Sequence, residues 1–255
     1  DEQFGGGCGT EDSSWHGTHV SGIIAATANN SKGGVGINWN TKLLQVRVLG
    51  KCGGYDTDIA DGIKWAAGGS VSGLADNPNP ADVINLSLGG AYSRIIDEAV
   101  ARAWRAGVVV VAAAGNDGAP QASFPASSLI PGVIGVAATD DLGQLAPFSN
   151  DGPGVDLTAP GIDILSTFGA REYRTMSGTS MAAPHVSGAL ALRIGSRGKQ
   201  GLGEVAAVLD SLPGGLTDDP RLDLPSLVAD APADGHRLST RRTRLTFHAS
   251  SSRKR

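Results

Sequence analysis

The sequence predicts an α/β fold, a three-layer sandwich in which helices cover both faces of a mainly parallel central sheet. Three apolar runs, at 82–88, 108–114 and 133–138, have the length of buried strands. Segments of helical length alternate with these runs, and such alternation is typical of parallel sheets. The 255 residues, of which 40% are hydrophobic, suffice for one domain with a sizeable core.

The individual elements follow from the spacing of apolar residues and from turn residues. The predicted helices are, in chain order, 17–28, 57–67, 95–106 and 179–193. The predicted strands are, in chain order, 42–49, 82–88, 108–114 and 133–138. An Asn- and Gly-rich turn at 29–36 follows the first helix. Residues 204–212 are a candidate for a further helix.

Charge is distributed unevenly along the chain. The formal net charge is −4, which argues against general nucleic-acid binding. Residues 231–255 hold seven Lys and Arg against one Asp, a net charge of +6, so the rest carries −10 (14 basic and 24 acidic residues). Apolar residues are also sparse after 231. We therefore predict one folded domain at 1–230 and a disordered basic tail at 231–255.

Neither a membrane span nor a signal peptide is predicted. No apolar run approaches the roughly 20 residues that cross a bilayer. The chain opens on Asp1, Glu2 and Gln3, which is unlike a signal peptide. We expect this start to be a cut inside a longer precursor.

Ser180 is a candidate nucleophile. It follows a Gly-Thr turn and opens a predicted helix of small residues, where unpaired backbone N–H groups favour negative charge developing nearby. Acyl transfer requires such stabilisation, but a serine hydroxyl also needs a base to take its proton. Taken alone, Ser180 could equally be a helix N-cap.

His16 is the natural base, because a neutral imidazole accepts and returns a proton near neutral pH. A metal site built from His16 and His19 is disfavoured, since the zinc pattern has its histidines at i and i+4 with an intervening Glu. Asn116 ends an apolar strand, where its amide could donate to an oxyanion. By itself, Asn116 could also be a turn residue.

Together, three segments resemble the subtilisin family of serine peptidases. In this chain, HGTHVSG at 16–22 resembles the family's histidine motif, and GTSMAAPHVSG at 178–188 resembles its serine motif. The segment AAAGN at 112–116 resembles the family's oxyanion motif. They stand in the family's order, and the similarity extends from about Ser14 to Leu192.

The resemblance implies roles for individual residues. Ser180 would be the nucleophile, His16 the general base and then acid, and Asn116 an oxyanion donor beside the Ser180 N–H. The segment expected to pair with an extended substrate comprises Ser87, Leu88, Gly89 and Gly90. The pocket for the residue before the scissile bond comprises Ala113, Ala114 and Gly115. A strand edge binds peptide through backbone hydrogen bonds, which agrees with the first of these sets.

The aspartate of the family's triad has no counterpart in this chain. The family places it on a strand well before the histidine, and the 15 residues before His16 form no apolar strand. We therefore expect the first strand or strands of the sheet to be missing. Truncation of a longer chain is favoured over a pseudoenzyme, which would be expected to lose His16 or Ser180 too. The fragment is expected to fold poorly and to be poorly active, because the acid orients the imidazole.

Other expectations concern disulfides, cofactors and partners. Cys8 and Cys52 lie in contexts similar to the disulfide-bearing bacterial extracellular branch, and we prefer a disulfide to two unpaired thiols. No cofactor is required for the chemistry and no metal ligand is named, although Asn29-Asn30-Ser31 resembles a loop that can bind structural calcium. A cis peptide bond is implied at Phe124-Pro125. The partners would be a polypeptide substrate and the chain's own missing pro-segment, with no nucleic acid and no membrane.

The leading hypothesis is therefore a secreted, monomeric serine endopeptidase that hydrolyses peptide bonds of extracellular proteins. A second is a catalytically impaired domain that still binds peptides along 87–90. A third, an α/β hydrolase acting on esters, is disfavoured because GTSMA lacks the Gly-x-Ser-x-Gly elbow.

Overall fold

The computed structural model of the 255-residue chain describes residues 13–50 and 53–197. Its elements are, in chain order, α1 (His16–Ala25), α2 (Asp56–Ala66), β1 (Val83–Leu86), α3 (Arg94–Arg105), β2 (Val109–Ala113), β3 (Val133–Thr139), β4 (Leu157–Pro160), β5 (Ile164–Phe168), β6 (Glu172–Met176) and α4 (Thr179–Arg197). The predicted disulfide of Cys8 and Cys52, the helix candidate at 204–212 and the tail at 231–255 lie outside the described residues. None of the described helices is both long and apolar enough to cross a membrane.

Four parallel strands form the central sheet, in the order β1-β2-β3-β4. Every residue of β2 and β3 is buried, as expected of parallel strands covered on both faces. Val109 and Val111 pack with α4 on one face, whereas Val110 and Ala112 pack with α2 and α3 on the other. The predicted α/β architecture is therefore confirmed.

Helix α4 lies across the whole sheet and contacts all four of its strands. Its sheet-facing side chains are mostly small, which allows the helix to approach the sheet closely; they are Ala182, Ala183, Val186, Ala189 and Leu190. On the opposite face, α3 buries Ile96, Ala99, Val100 and Ala103, the i, i+3, i+4, i+7 pattern of an amphipathic helix. All four predicted helices are present.

The strand predicted at 42–49 is wrong. The segment has no regular structure, and Leu43 and Leu44 are 42% and 38% exposed. A strand needs a neighbour to take its backbone hydrogen bonds, and within residues 13–50 and 53–197 no strand runs beside this segment. The apolar residues of 42–49 thus predicted a strand, but the described part of the chain provides no neighbouring strand with which it could pair.

An antiparallel hairpin of β5 and β6 was not predicted, nor was β4. The hairpin lies against α1, since Ser166 Oγ donates to the carbonyl of His19 at 2.7 Å and Thr167 Oγ1 to that of Thr18 at 2.8 Å. These two bonds place the start of α1. The cis peptide bond expected at Phe124-Pro125 is present.

Gly135 on β3 has no room for a side chain unless the backbone around it shifts. A Cβ there would lie 1.7 Å from the carbonyl oxygen of Gly154, while Asp156 bonds both backbone groups of Gly135. We expect Gly135→Ala to lower the free energy of unfolding by about 1–3 kcal/mol through overpacking. Gly34→Ala is the control, because nothing lies within 4 Å of the added methyl group. Equal urea midpoints for the two variants would contradict the prediction.

Candidate active site

One edge of the sheet collects most of the predicted site residues. The carboxyl ends of β1 and β2 lie there, which is where open α/β sheets bind ligands, and α4 begins beside them. Ser87 follows β1, Asn116 follows β2, and Ser180 is the second residue of α4. Ser87 Oγ lies 2.7 Å from the Ser180 carbonyl oxygen, and Asn116 Oδ1 lies 2.8 Å from the N–H nitrogen of Thr179.

The Ser180 side chain is half-buried at the N-terminal turn of α4. Its hydroxyl donates to the Ser87 carbonyl over 3.4 Å, a long hydrogen bond that a substrate could easily displace. At the start of α4 the N–H groups of Thr179, Met181 and Ala182 already have acceptors, and the positive end of the helix dipole lies here. A negative charge forming next to Ser180 would therefore be stabilised.

Thr179 fixes the orientation of the Asn116 amide. Its backbone N–H and its hydroxyl both donate to Asn116 Oδ1, at 2.8 and 2.9 Å, and the hydroxyl accepts from the Gly115 N–H at 3.1 Å. Because the amide oxygen is held by two donors, the Nδ2 group is left to donate elsewhere. Asn116 is exposed, so Nδ2 can reach a ligand.

Asn150 supports the loop that carries Asn116 and was not predicted from the sequence. The residue is 1% exposed, and its Oδ1 accepts from the N–H groups of Asp117 and Ala119 at 2.9 and 3.0 Å. Its Nδ2 donates to the Ala114 carbonyl and to Ser123 Oγ, both at 3.1 Å. A buried amide with all these bonds made holds its surroundings rigidly. Ser149-Asn150 carries no local sequence signal of this role.

The backbone at Gly115 explains why a glycine is needed there. Its φ is +109°, a left-handed value that other residues rarely adopt, and a Cβ would lie 2.3 Å from Asn150 Nδ2. The glycine therefore lets β2 turn sharply into Asn116 while Asn150 packs against the turn.

The predicted substrate segment, Ser87 to Gly90, lies beside the predicted pocket wall. Gly89 and Gly90 are exposed and Leu88 is half-buried. The Gly90 N–H donates to the Phe124 carbonyl at 2.9 Å, so one backbone donor of the segment is used within the chain. In the wall, Ala113 and Ala114 are buried and Gly115 is half-buried, so Ala114 could contribute only through its backbone.

His16 is the first residue of α1, which packs against α4. Its imidazole is half-buried, and within the described residues no hydrogen bond joins it to the Ser180 hydroxyl. Hydrogen bonds of catalytic groups are often long before substrate binds, so this does not exclude a base. His19, one turn later, is fully buried and donates from Nε2 to the Arg174 carbonyl at 2.9 Å, which indicates a structural role.

Burial lowers the pKa of His16 below its usual 6.5, and the neighbouring His19 lowers it further. Burial likewise lowers the pKa of His185, whose Nδ1 bonds the Met181 carbonyl at 2.8 Å and thereby offsets part of the shift. Both side chains are therefore neutral around pH 7. A neutral His16 is the form that can accept a proton.

No metal centre is evident in the part of the chain that the structure describes, where no three His, Cys, Asp or Glu side chains lie together. In the calcium-like loop, Asn30 Oδ1 already accepts from the Lys32 N–H at 3.0 Å. The described residues of this loop include no carboxylate. They therefore do not by themselves form a site for a hard cation.

The lowered pKa of His16 predicts activity on the acidic side of neutrality. If neutral His16 is the base, the described surroundings put the acidic limb of the kcat/KM profile below pH 6.5. The free energy of unfolding changes with pH in the same direction. Because the pKa of His16 is lower in the folded chain than the usual 6.5, the unfolded chain binds more protons as the pH falls below 6.5. The contribution of His16 to stability is therefore complete above pH 6.5 and is lost as the pH falls through the folded pKa. Unfolding measured at each pH separates the two effects. A limb at or above 6.5 in folded protein would show that another charge, such as a carboxylate near the imidazole, offsets burial.

The parallel sheet flanked by helices defines an α/β protein, a class that includes the subtilisin type of serine peptidase. The sequence profile described as the Subtilase family matches residues 6–204, which is most of the chain. The chain therefore belongs to the subtilase family.

The relatives that this chain matches include bacterial proteins named as proteases and as a subtilisin. The extracellular protease of Xanthomonas campestris pv. campestris is 49% identical over 200 residues, covering 74% of this chain and 34% of the relative. Subtilisin Savinase of Lederbergia lenta is 43% identical over 185 residues, covering 72% of this chain and 64% of the relative. This chain thus spans about a third of the length of the Xanthomonas protein.

A solved structure described as proteases from Pseudoalteromonas arctica has the same fold. It superimposes with a TM-score of 0.80 at 41% identity, covering 88% of this chain and 73% of that one.

The extracellular basic protease of Dichelobacter nodosus, 48% identical over 195 residues, is again much longer, since only 32% of it is covered.

Proposed function

We propose that this chain is the catalytic part of a secreted serine endopeptidase, which hydrolyses peptide bonds of extracellular proteins through an acyl-enzyme on Ser180. One observation carries the proposal. The Ser180 hydroxyl, the Asn116 amide and the exposed Gly89-Gly90 backbone converge at the carboxyl edge of the sheet, at the N-terminus of α4. Membership of the subtilase family and relatives named as extracellular proteases support it.

In the first step, the Ser180 hydroxyl attacks the scissile carbonyl and gives its proton to neutral His16. The lowered pKa of His16 keeps the imidazole ready to accept that proton. The oxygen that becomes negative accepts hydrogen bonds from Asn116 Nδ2 and from the backbone N–H of Ser180. Thr179 holds the amide oxygen away from this negative charge.

The intermediate then breaks its C–N bond. His16 returns the proton to the departing amine, which leaves an ester on Ser180. A water molecule gives a proton to His16 and attacks the ester carbonyl, and His16 protonates Ser180 as the new carboxyl end leaves. Protons and bonds balance over the cycle, and the net reaction is hydrolysis of one peptide bond.

An extended polypeptide is the substrate that this surface favours. Exposed glycines offer backbone groups without side chains in the way, so recognition would depend on the main chain of the peptide. A structural calcium at Asn29-Asn30-Ser31, which would need a carboxylate from outside this loop, is a separate proposal, and no catalytic step depends on it.

Labelling with a fluorophosphonate tests the proposal directly. The chain produced from its whole gene should carry the label on Ser180, as located by peptide mass spectrometry, and Ser180→Ala should carry none. Labelling should also parallel hydrolysis of an unfolded protein substrate. A folded sample that stays unlabelled would reject the proposal.

The rival function is a peptide-binding domain that does not cleave. It is favoured by the Ser180 hydroxyl pointing at the Ser87 carbonyl, without a hydrogen bond to His16 among the described residues. This rival predicts peptide binding to the unlabelled protein and no new amino termini in the peptide.

A further inference from the structure

Pro184 interrupts the hydrogen bonding of α4 next to the proposed nucleophile. In an α-helix, the N–H of residue i+4 donates to the carbonyl of residue i. Residue i+4 from Ser180 is Pro184, which has no N–H. The usual helical donor for the Ser180 carbonyl is therefore missing, which leaves this carbonyl open to a donor from outside the helix.

Ser87 is that group. Its hydroxyl donates to the Ser180 carbonyl at 2.7 Å, which joins the first turn of α4 to the residue that follows β1. The Ser180 hydroxyl in turn donates to the Ser87 carbonyl at 3.4 Å. Each of the two serines thus bonds the backbone of the other.

Asn85 and Ser187 determine the direction of the Ser87 hydroxyl. Asn85 Nδ2 donates to Ser87 Oγ at 2.9 Å, and Ser187 Oγ donates to Asn85 Oδ1 at 2.9 Å. Since Ser87 Oγ accepts from the amide, its own hydrogen is left for Ser180. Ser187 is 3% exposed and lies two helical turns after Ser180 on the same face of α4.

We propose that Ser87 is a positioning residue for the nucleophile, supported by Asn85 and Ser187, and that its hydroxyl replaces the hydrogen bond removed by Pro184. The inference rests on the proposed function. Ser180 supplies both the attacking oxygen and an oxyanion N–H, so a small shift of its backbone impairs the bond-making step. The backbone groups of Gly89 and Gly90 that would hold the peptide remain in place, so substrate binding changes little.

The test compares variants of the chain produced from its whole gene. Ser87→Ala should lower kcat by about 10- to 100-fold and change KM less than about threefold, because geometry at the reacting atoms is lost rather than binding. Pro184→Ala restores an N–H that can donate to the Ser180 carbonyl. The double variant S87A/P184A should therefore regain about tenfold in kcat over S87A, whereas P184A alone should differ little from wild type.

Two further variants complete the design. Ser128→Ala, which removes a serine hydroxyl bond to the Asp97 carboxylate on α3, should leave kcat unchanged. Ser187→Ala removes the distant support and keeps the Ser87 hydroxyl, so a smaller loss in kcat is expected. This variant takes the place of S87A if the latter does not fold, and P184A should then rescue it.

The outcomes separate this inference from the proposed function. A wild-type chain that neither takes the fluorophosphonate nor cleaves peptide rejects both. A wild-type chain that is labelled and active, together with an S87A variant of unchanged kcat, rejects the positioning role alone. Loss of activity in S87A without rescue by P184A also overturns it, because a merely destabilising change would behave in that way.

Discussion

Ser180→Ala should remove essentially all peptide hydrolysis and leave the unfolding midpoint almost unchanged. The expected fall in kcat is on the order of 10⁶, the figure known from subtilisin itself rather than one deduced from this chain. Stability should change by less than about 0.5 kcal/mol, because the lost hydroxyl makes only the 3.4 Å bond to the Ser87 carbonyl. Initial rates on a chromogenic peptide and thermal unfolding measure the two quantities.

The companion variant is His16→Ala. If Ser180 and His16 act in the same step, His16→Ala should lose nearly as much activity, and the double variant should lose no more than either single one. Peptide affinity should persist in Ser180→Ala, since the backbone of the substrate segment is untouched. Losses that multiply in the double variant would mean that the two residues act separately.

Asn116→Leu has the second largest expected effect. Leucine keeps the approximate size and removes the Nδ2 donor, so kcat should fall about 10²–10³-fold with little change in KM; this magnitude is also the one known from subtilisin. Asn116→Asp is the sharper variant, because it keeps an oxygen for the two Thr179 donors and replaces only the group that faces the substrate. We expect Asn116→Asp to be at least as slow as Asn116→Leu, since its negative charge opposes the oxyanion.

Thr179→Val serves as the matched control for the orientation of this amide. It removes the 2.9 Å hydroxyl bond to Asn116 but keeps the 2.8 Å bond from the backbone N–H. A loss in kcat smaller than that of Asn116→Leu is expected. Nearly normal kcat in both Asn116 variants would exclude the amide as an oxyanion donor.

The four helices and the strands β1, β2 and β3 were predicted correctly, because each has a local pattern of apolar residues that is typical of its structure. The central strand predicted at 108–114 is β2, Val109–Ala113, and every one of its residues is buried. The run at 42–49, with five apolar residues of eight, also predicted a strand, yet it forms none, because a strand also depends on a neighbour. The hairpin of β5 and β6 was not predicted, since half of its ten residues are exposed and the burial along its strands shows no simple alternation.

In the candidate site, too, local sequence patterns predicted single residues but not their contacts with distant parts of the chain. Short motifs pointed to Ser180, His16 and Asn116, and these roles stay predictions until the variants are measured. No motif pointed to Asn150, which holds the Asn116 loop, or to the chain of bonds from Ser187 through Asn85 to Ser87. Thr179 stands within a recognisable motif, but its bond to Asn116 could not be read from that motif.

The sequence by itself determined the family, the alternation of strands and helices, and the residue types available for chemistry, because motifs and apolar periodicity are local properties of the chain. Only the tertiary structure decided how those residues are oriented. Thr179 and Asn116 are 63 residues apart in sequence, and Ser87 and Ser180 are 93 apart. Hydrogen bonds over such separations exist only once the sheet has brought β1, β2 and the start of α4 to one edge, so no local pattern can encode them.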